Sequence, residues 1–152
     1  MKICVDTTIL IDILKDEFRS YQEKLYKALE RKDQLVAPSV VFGELLPQFK
    51  GNTKLLNSFI SEHKIKIEPL DVDSVILASK RWMKYLKRKS KIKCPQCGHA
   101  LQAKEYFLSD FFIGGFALTK SDTILTRDRG VYRKYFPELR GYENCLNLNS
   151  PL

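Results

Sequence analysis

Nowhere among its 152 residues does the sequence carry a run of some twenty apolar side chains, which excludes a membrane-spanning helix. The chain passes from Met1 and Lys2 straight into a candidate strand, without the charged and then apolar leader of a secreted protein, so a cytoplasmic location is expected. No linker stands out that would join a second full domain. With 44% hydrophobic residues the whole of 1–152 is expected to form one domain with one core. Acids are in short supply, 18 against 26 Lys and Arg. The resulting formal charge of +8 favours a polyanionic partner without identifying it. The shortage is most acute in RWMKYLKRKSKIK, residues 81–93, which holds no acid at all. Histidine is scarce too. His63 sits among charged residues as a surface histidine would, and His99 lies beside a cysteine pair. Four cysteines are enough for two disulfides. However, Cys4 falls inside the first candidate strand and Cys94 and Cys97 form a tight CPQC, so a disulfide scaffold is the weaker reading.

Against that background four acids stand out. Asp6 follows the apolar strand ICV and precedes two hydroxyls, Thr7 and Thr8; Glu44 lies mid-helix in SVVFGELL; Asp110 opens DFFIGGFAL; Asp128 ends ILTRD. A carboxylate in an apolar segment is costly unless it is paired, and four such segments each delivering one acid suggest a shared cation. Gathered in one pocket they would suit Mg²⁺ or Mn²⁺, which prefer hard oxygen ligands. A purely structural account stays open, with Asp6 capping the first helix and Asp128 capping the turn at RDRG. It fits Glu44 worst, since a mid-helix residue beside leucines is no cap. Two further acids lie near the motifs. Asp12 is expected on a helix surface or in a local ion pair, and Asp122 in a turn or as a peripheral ligand.

VDTTILIDIL, SVVFGELL, DFFIGGFAL and ILTRDRG, in this order, resemble the four blocks of the PIN-domain ribonucleases, and in particular the small VapC-like toxins of toxin–antitoxin pairs. The first and last blocks are the more specific. The resemblance implies that Asp6, Glu44, Asp110 and Asp128 bind Mg²⁺ or Mn²⁺ and hydrolyse RNA phosphodiester bonds, leaving 5′-phosphate and 3′-hydroxyl ends on single-stranded or looped RNA. Thr7, Thr8, Thr126 and, more peripherally, Asp122 would support them. It also implies a small antitoxin protein whose tail blocks the acidic pocket, and a homodimer. No histidine lies in the motifs, which argues against metal-free histidine acid–base cleavage.

The expected fold is α/β, a three-layer PIN-like arrangement with a central, mostly parallel sheet flanked by helices. Strands are read at 2–6, at LVAP ending on Pro38, in KIKIEPL as an edge, in TILT, and in YENCLNL. Helices are read at 8–14, 18–31, from a Ser39 cap through Leu46, after an Asp71 cap, at about 109–118, and at 131–135. Ligands in such sheets gather beyond the carboxyl ends of the strands, where Asp6 and Asp128 both fall.

A basic, cysteine-containing insertion at about 88–106 departs from the family pattern. Its approach supplies Arg81, Lys84, Lys87, Arg88, Lys89, Lys91 and Lys93 as candidate RNA contacts, with Trp82 and Tyr85 either stacking on bases or packing beneath the charges; a solvated helix end is the alternative. Arg127, Arg129, Arg133 and Lys134 are candidate phosphate contacts nearer the acids, although Arg127 could instead pair with an acid. CPQC has the spacing of a zinc knuckle, but a closed zinc site needs four ligands, and His99, Cys145, Cys4 or a second subunit would have to complete it. A knuckle without its metal and a redox or simple turn role stay open. Three functions follow: a VapC-like ribonuclease, a ribosomal-RNA-processing endonuclease with a zinc knuckle, and a non-catalytic RNA-binding protein.

Overall fold

The computed structural model of the chain describes residues 1–89, 93–99 and 105–142. Its centre is a four-stranded sheet in the order β3-β2-β1-β4, built from β1 (Lys2–Val5), β2 (Gln34–Pro38), β3 (Ile65–Glu68) and β4 (Thr123–Leu125). Every pairing is parallel, with Ile3 opposite both Leu35 and Thr123. Parallel strands need crossovers, and helices supply them. These are α1 (Thr7–Lys15), α2 (Arg19–Glu30), α3 (Ser39–Leu45), α4 (Thr53–Glu62), α5 (Val72–Lys89), α6 (Leu108–Lys120) and α7 (Gly130–Tyr135), with a 3₁₀ turn at Leu46–Phe49. The result is the expected three-layer α/β architecture. No helix among the described residues is long and apolar enough to cross a membrane.

Both middle strands are apolar throughout their cores because both faces are covered. Ile3, Cys4 and Val5 of β1 and Leu35, Val36 and Ala37 of β2 are buried. Helix α6 lies across β1, β2 and β4, and α5 packs on α6. Gly115 makes that second contact possible: a Cβ there would come within 2.5 Å of the Ser74 carbonyl oxygen of α5, a backbone atom that cannot step aside. Close approach of α5 also buries Ser74, whose hydroxyl lies 2.6 Å from that of Thr119.

Most sequence-derived elements match within a residue or two. Asp71 caps α5 as expected, accepting from the Ser74 N–H at 2.9 Å. Ser39 does not cap α3. Pro38 takes the cap position, Ser39 is the first helical residue, and its hydroxyl accepts weakly from the Leu70 N–H at 3.4 Å. KIKIE forms the edge strand β3, as its alternation suggested. The strand read in YENCLNL lies outside the described residues apart from Tyr142, although Gly141 just before it makes a parallel bridge to Ile124.

Candidate active site

Asp6 stands at the exit of β1 and caps α1. Its N–H donates to the Leu125 carbonyl at 3.0 Å, tying it to β4, and its Oδ1 accepts from the Thr7 N–H at 2.9 Å. The capping role read from sequence is therefore real, but it does not exhaust this carboxylate. Oδ2 accepts from two hydroxyls, Thr126 at 2.6 Å and Thr8 at 2.9 Å, and the buried Tyr132 hydroxyl lies 3.3 Å from Oδ1. Asp6 is only 3% exposed, and no cation is among these partners. Burial, which penalises the charged form, pushes its carboxyl up to about 6; hydrogen bonds from Thr126 and Thr8 oppose the rise, while the nearby charges of Asp110 and Glu44 add to it.

The other acids arrive from separate elements. Glu44 projects from α3 and accepts a hydrogen bond from the Thr7 hydroxyl. Asp110 sits in the first turn of α6, where Oδ2 accepts from the Phe107 N–H at 3.0 Å. Asp128 lies between β4 and α7. Its carbonyl accepts from Thr126 at 3.2 Å and its Oδ1 from the Gly130 N–H at 3.3 Å. Asp6, Glu44 and Asp110 thus share one electrostatic neighbourhood, whereas Asp128 is tied to it through its backbone carbonyl, which accepts from Thr126. Among the described residues, no three His, Cys, Asp or Glu side chains are gathered closely enough to hold one ion as they stand.

Two readings of nearby residues, those of Asp12 and Asp122, need correction, and Arg127 follows its alternative, a pair with an acid. Asp12 is not on a surface: it is fully buried, and its carboxylate accepts from Arg127 Nε at 2.9 and 3.2 Å across 115 residues of sequence. Arg127 also lies over the Phe18 ring at 4.1 Å, so its charge is engaged within the fold rather than offered to phosphate. Asp122 lies before β4, at the opposite end of that strand from Thr126. There it accepts from the Lys2 N–H at 2.7 Å, which removes it from the supporting set.

Sequence reading missed Tyr132 altogether. Its hydroxyl is held protonated by burial and by the charges of Asp6 and Asp110. The available signal was its position four residues after Asp128, one turn into the short helix.

The basic stretch divides when folded. Arg81 is bidentate to Glu138, at 2.7 and 3.2 Å, and donates to the Tyr135 carbonyl at 2.8 Å, so it ties α5 to the segment after α7 and is not a free RNA contact. Lys89 pairs with Glu105 at 2.8 Å, and the charge of Arg88 acts on the Tyr135 hydroxyl, opposing the rise that burial gives it. Lys84, Lys87 and Lys93 are exposed; Lys91 lies outside the described residues. Tyr85 is buried and the half-buried Trp82 packs edge-on against Phe111, centroids 5.1 Å apart, so of the two readings the aromatics follow the one in which they lie beneath the charges. Arg129 is half-buried, whereas Arg133 and Lys134 are exposed on α7.

CPQC forms a tight turn. The Cys94 N–H donates to the His99 carbonyl at 2.7 Å and the Gly98 N–H to the Cys94 carbonyl at 2.9 Å, with Gly98 at φ 71°. The Cys94 thiol is pulled below its usual range by hydrogen bonds from the backbone of Cys97 and Gln96. Cys4 cannot complete a zinc site here, because it is fully buried in β1. Cys145 lies outside the described residues. His63 is not a bare surface residue: it bonds the Phe59 carbonyl at 2.8 Å and packs on the Phe59 ring.

The PIN domain family model matches residues 3–137, from the first strand to just past α7. This chain belongs to the PIN domain family. No curated protein matches it. Two solved structures share the fold. One is VapBC2 from Rickettsia felis bound to a DNA fragment from its promoter, at TM-score 0.63 and 15% identity, covering 91% of this chain and 96% of that one. The other is VapBC-1 from nontypeable Haemophilus influenzae, at TM-score 0.66 and 15% identity, covering 93% and 96%.

Proposed function

We propose that this PIN domain is a metal-dependent endoribonuclease of the VapC-like kind, with Asp6, Glu44, Asp110 and Asp128 as its acidic centre. The observation that carries the reading is the state of Asp6. It is a buried carboxylate whose immediate partners are hydroxyls and whose charged neighbours are further acids, at the carboxyl ends of parallel strands. A site that repels its own charge is relieved by a cation. The donors are hard oxygens, which fits Mg²⁺ or Mn²⁺ in chemistry and in sign; as the side chains stand no three share one coordination sphere, so the fit rests on donor type and charge.

When bound, the ion would polarise the scissile phosphate and acidify water. The protein's own part is legible in the hydrogen bonds. Thr8 and Thr126 fix one oxygen of Asp6, and Tyr132, kept protonated, faces the other. In the metal-free protein burial holds the Asp6 carboxyl up at about 6, and a bound cation would draw it down and keep it ionised as a ligand. Lys84, Lys87, Lys93 and Arg129 would meet the RNA backbone. A small antitoxin protein as partner is supported by the shared fold with the two VapBC structures. A second reading, an RNA-processing endonuclease with a zinc knuckle, draws support from the CPQC turn, whose backbone N–H groups already surround the Cys94 sulfur.

The test is cleavage of mixed single-stranded and structured RNAs with Mn²⁺ or Mg²⁺, beside chelator and Asp6→Asn controls. Metal-dependent cutting that falls by about a hundredfold or more in a folded Asp6→Asn variant is expected. RNA binding without cutting, in both metals and on all substrates, would replace this proposal with the non-catalytic RNA-binding reading.

A further inference from the structure

The chain enters α6 through two adjacent aromatic residues that turn opposite ways. Tyr106 turns inward: its N–H donates to the Tyr85 hydroxyl at 3.1 Å, and its ring packs against Tyr85 and Tyr135, with centroids 5.5 and 6.0 Å away. Phe107 follows with extended backbone, φ −104° and ψ 153°, which sends its side chain to the other face, and it is 67% exposed. Two local preferences are broken at this position. Phenylalanine is among the residues most often buried, and the cap position of a helix, which Phe107 occupies in α6, favours side chains with an oxygen to offer the first N–H groups. Positions that break local rules without a local gain are where function is expected. The backbone here is fixed by one of the acids: the Phe107 N–H donates to Asp110 Oδ2 at 3.0 Å, and its carbonyl accepts from the Asp110 N–H at 3.1 Å. Asp110 in turn acts on Asp6 through its charge, so an exposed ring is anchored at the acidic centre, between Tyr106 and Asp110.

We propose that Phe107 is a stacking platform for an unpaired base of the RNA substrate, next to the phosphate that the acids receive. The choice of RNA rests on the ribonuclease reading above; the choice of a flat, apolar group rests on the ring itself. A base has the π-face and apolar area to cover an exposed ring, and stacking on aromatic side chains is how proteins hold bases splayed out of a strand. Because its neighbours on both sides fix the backbone, little freedom is lost when a base lands on the ring. Bases in a duplex are already stacked on one another, so the platform favours single-stranded RNA and loops. Binding energy gained there orients the adjacent phosphate at the acids.

The experiment measures how tightly the whole chain binds a short single-stranded RNA of mixed sequence, and the same RNA in a duplex, in chelator so that binding alone is read. Phe107→Ala should weaken single-strand binding by about tenfold. Phe107→Leu, which keeps apolar bulk without a flat face, should weaken it nearly as much, and Phe107→Trp should bind as wild type or better. Duplex binding should not respond to any of the three, and the salt dependence should stay that of wild type, since no phosphate contact is lost. A side chain this exposed can be replaced in a folded protein, and unchanged melting temperatures check it. Val72→Ala, which removes an apolar side chain 72% exposed in the first turn of α5, should leave the affinity as it was. No binding of single-stranded RNA, binding indifferent to Phe107→Ala, or a Phe107→Leu variant as tight as wild type would overturn the proposal. The ribonuclease reading fails by a different result, the absence of metal-dependent cutting. A protein that binds but never cuts passes here, and one that cuts while Phe107→Ala keeps its affinity fails here alone.

Discussion

Acids beside the amino ends of the strands and Asp6 at the carboxyl end of β1 are treated in opposite ways, while Glu68 at the end of β3 is paired with Lys2 and Lys66. At the amino ends of the strands, Asp33 meets the Met1 ammonium at 3.0 Å and Asp122 accepts from the Lys2 N–H at 2.7 Å. At the carboxyl ends, Asp6 finds hydroxyls, one capped helix and the repulsion of Asp110 and Glu44. Geometry explains part of the contrast: parallel strands all begin by offering N–H groups, natural partners for carboxylates, and all finish on carbonyls, which are not. Acids placed at the carboxyl ends must be answered from elsewhere. Asp12 shows what an answered acid looks like, since the same region buries it completely and gives it Arg127. The fold can supply a cation to a buried acid there, and it does so six residues further along α1 but not for Asp6 itself.

Breaking the Asp12–Arg127 pair should have the largest effect on stability. Arg127→Ala leaves Asp12 buried and uncompensated and is expected to cost about 3 kcal/mol or more in denaturant unfolding, whereas the double variant Asp12→Leu with Arg127→Met should cost clearly less. If the single and double variants cost the same, Asp12 is not an answered acid and the contrast loses its internal control.

Asp6→Asn works in the other direction. Folding raises the Asp6 carboxyl from its ordinary 3.8 to about 6, so between about pH 4 and pH 6 the folded state holds a proton that the unfolded state has lost, and stability falls as pH rises through that window. The metal-free wild type should therefore lose up to about 3 kcal/mol between those limits through this group, and none further above them. In Asp6→Asn that slope should vanish, and its metal-free melting temperature above pH 6 should equal or exceed that of wild type. Mn²⁺ should then raise the wild-type melting temperature and leave the variant's in place. A slope that persists in Asp6→Asn would assign it to another group.

The smallest effect is expected at an exposed pair. Lys120 bonds Asp71, whose carboxyl its hydrogen bond draws well below the usual range, yet both groups face solvent. Lys120→Ala should leave the melting temperature within error of wild type, since screened surface pairs contribute little. A large loss there would show that answering an acid matters as much at the surface as inside.

Much of this arrangement was legible in the sequence, and for identifiable reasons. Strand exits and helix starts are local events, so Asp6 after ICV and Asp71 before α5 could be placed from their neighbours alone. The order of the four acid-bearing segments likewise needed no geometry. Partners chosen across the fold were not legible: nothing near ILIDIL indicates that Asp12 waits for an arginine 115 residues later, and nothing near RWMKYLK indicates that Arg81 belongs to Glu138. Tyr132 was hidden for the same reason, because its helix is short and its hydroxyl is defined by what lies opposite. Ser39 misled through a different route. Its residue type is right for a cap, but Pro38 completes β2 and takes the cap position first.

The hydrogen bond between Thr126 and Asp6 spans 120 positions of the chain. During synthesis β1 and its acid emerge more than a hundred residues before β4, the strand that must lie beside β1. Contacts so distant in sequence form slowly and late. The acidic centre therefore has no counterpart in the growing chain: until β4 joins the sheet, Asp6 lacks the Thr126 hydroxyl and the Leu125 carbonyl that fix it.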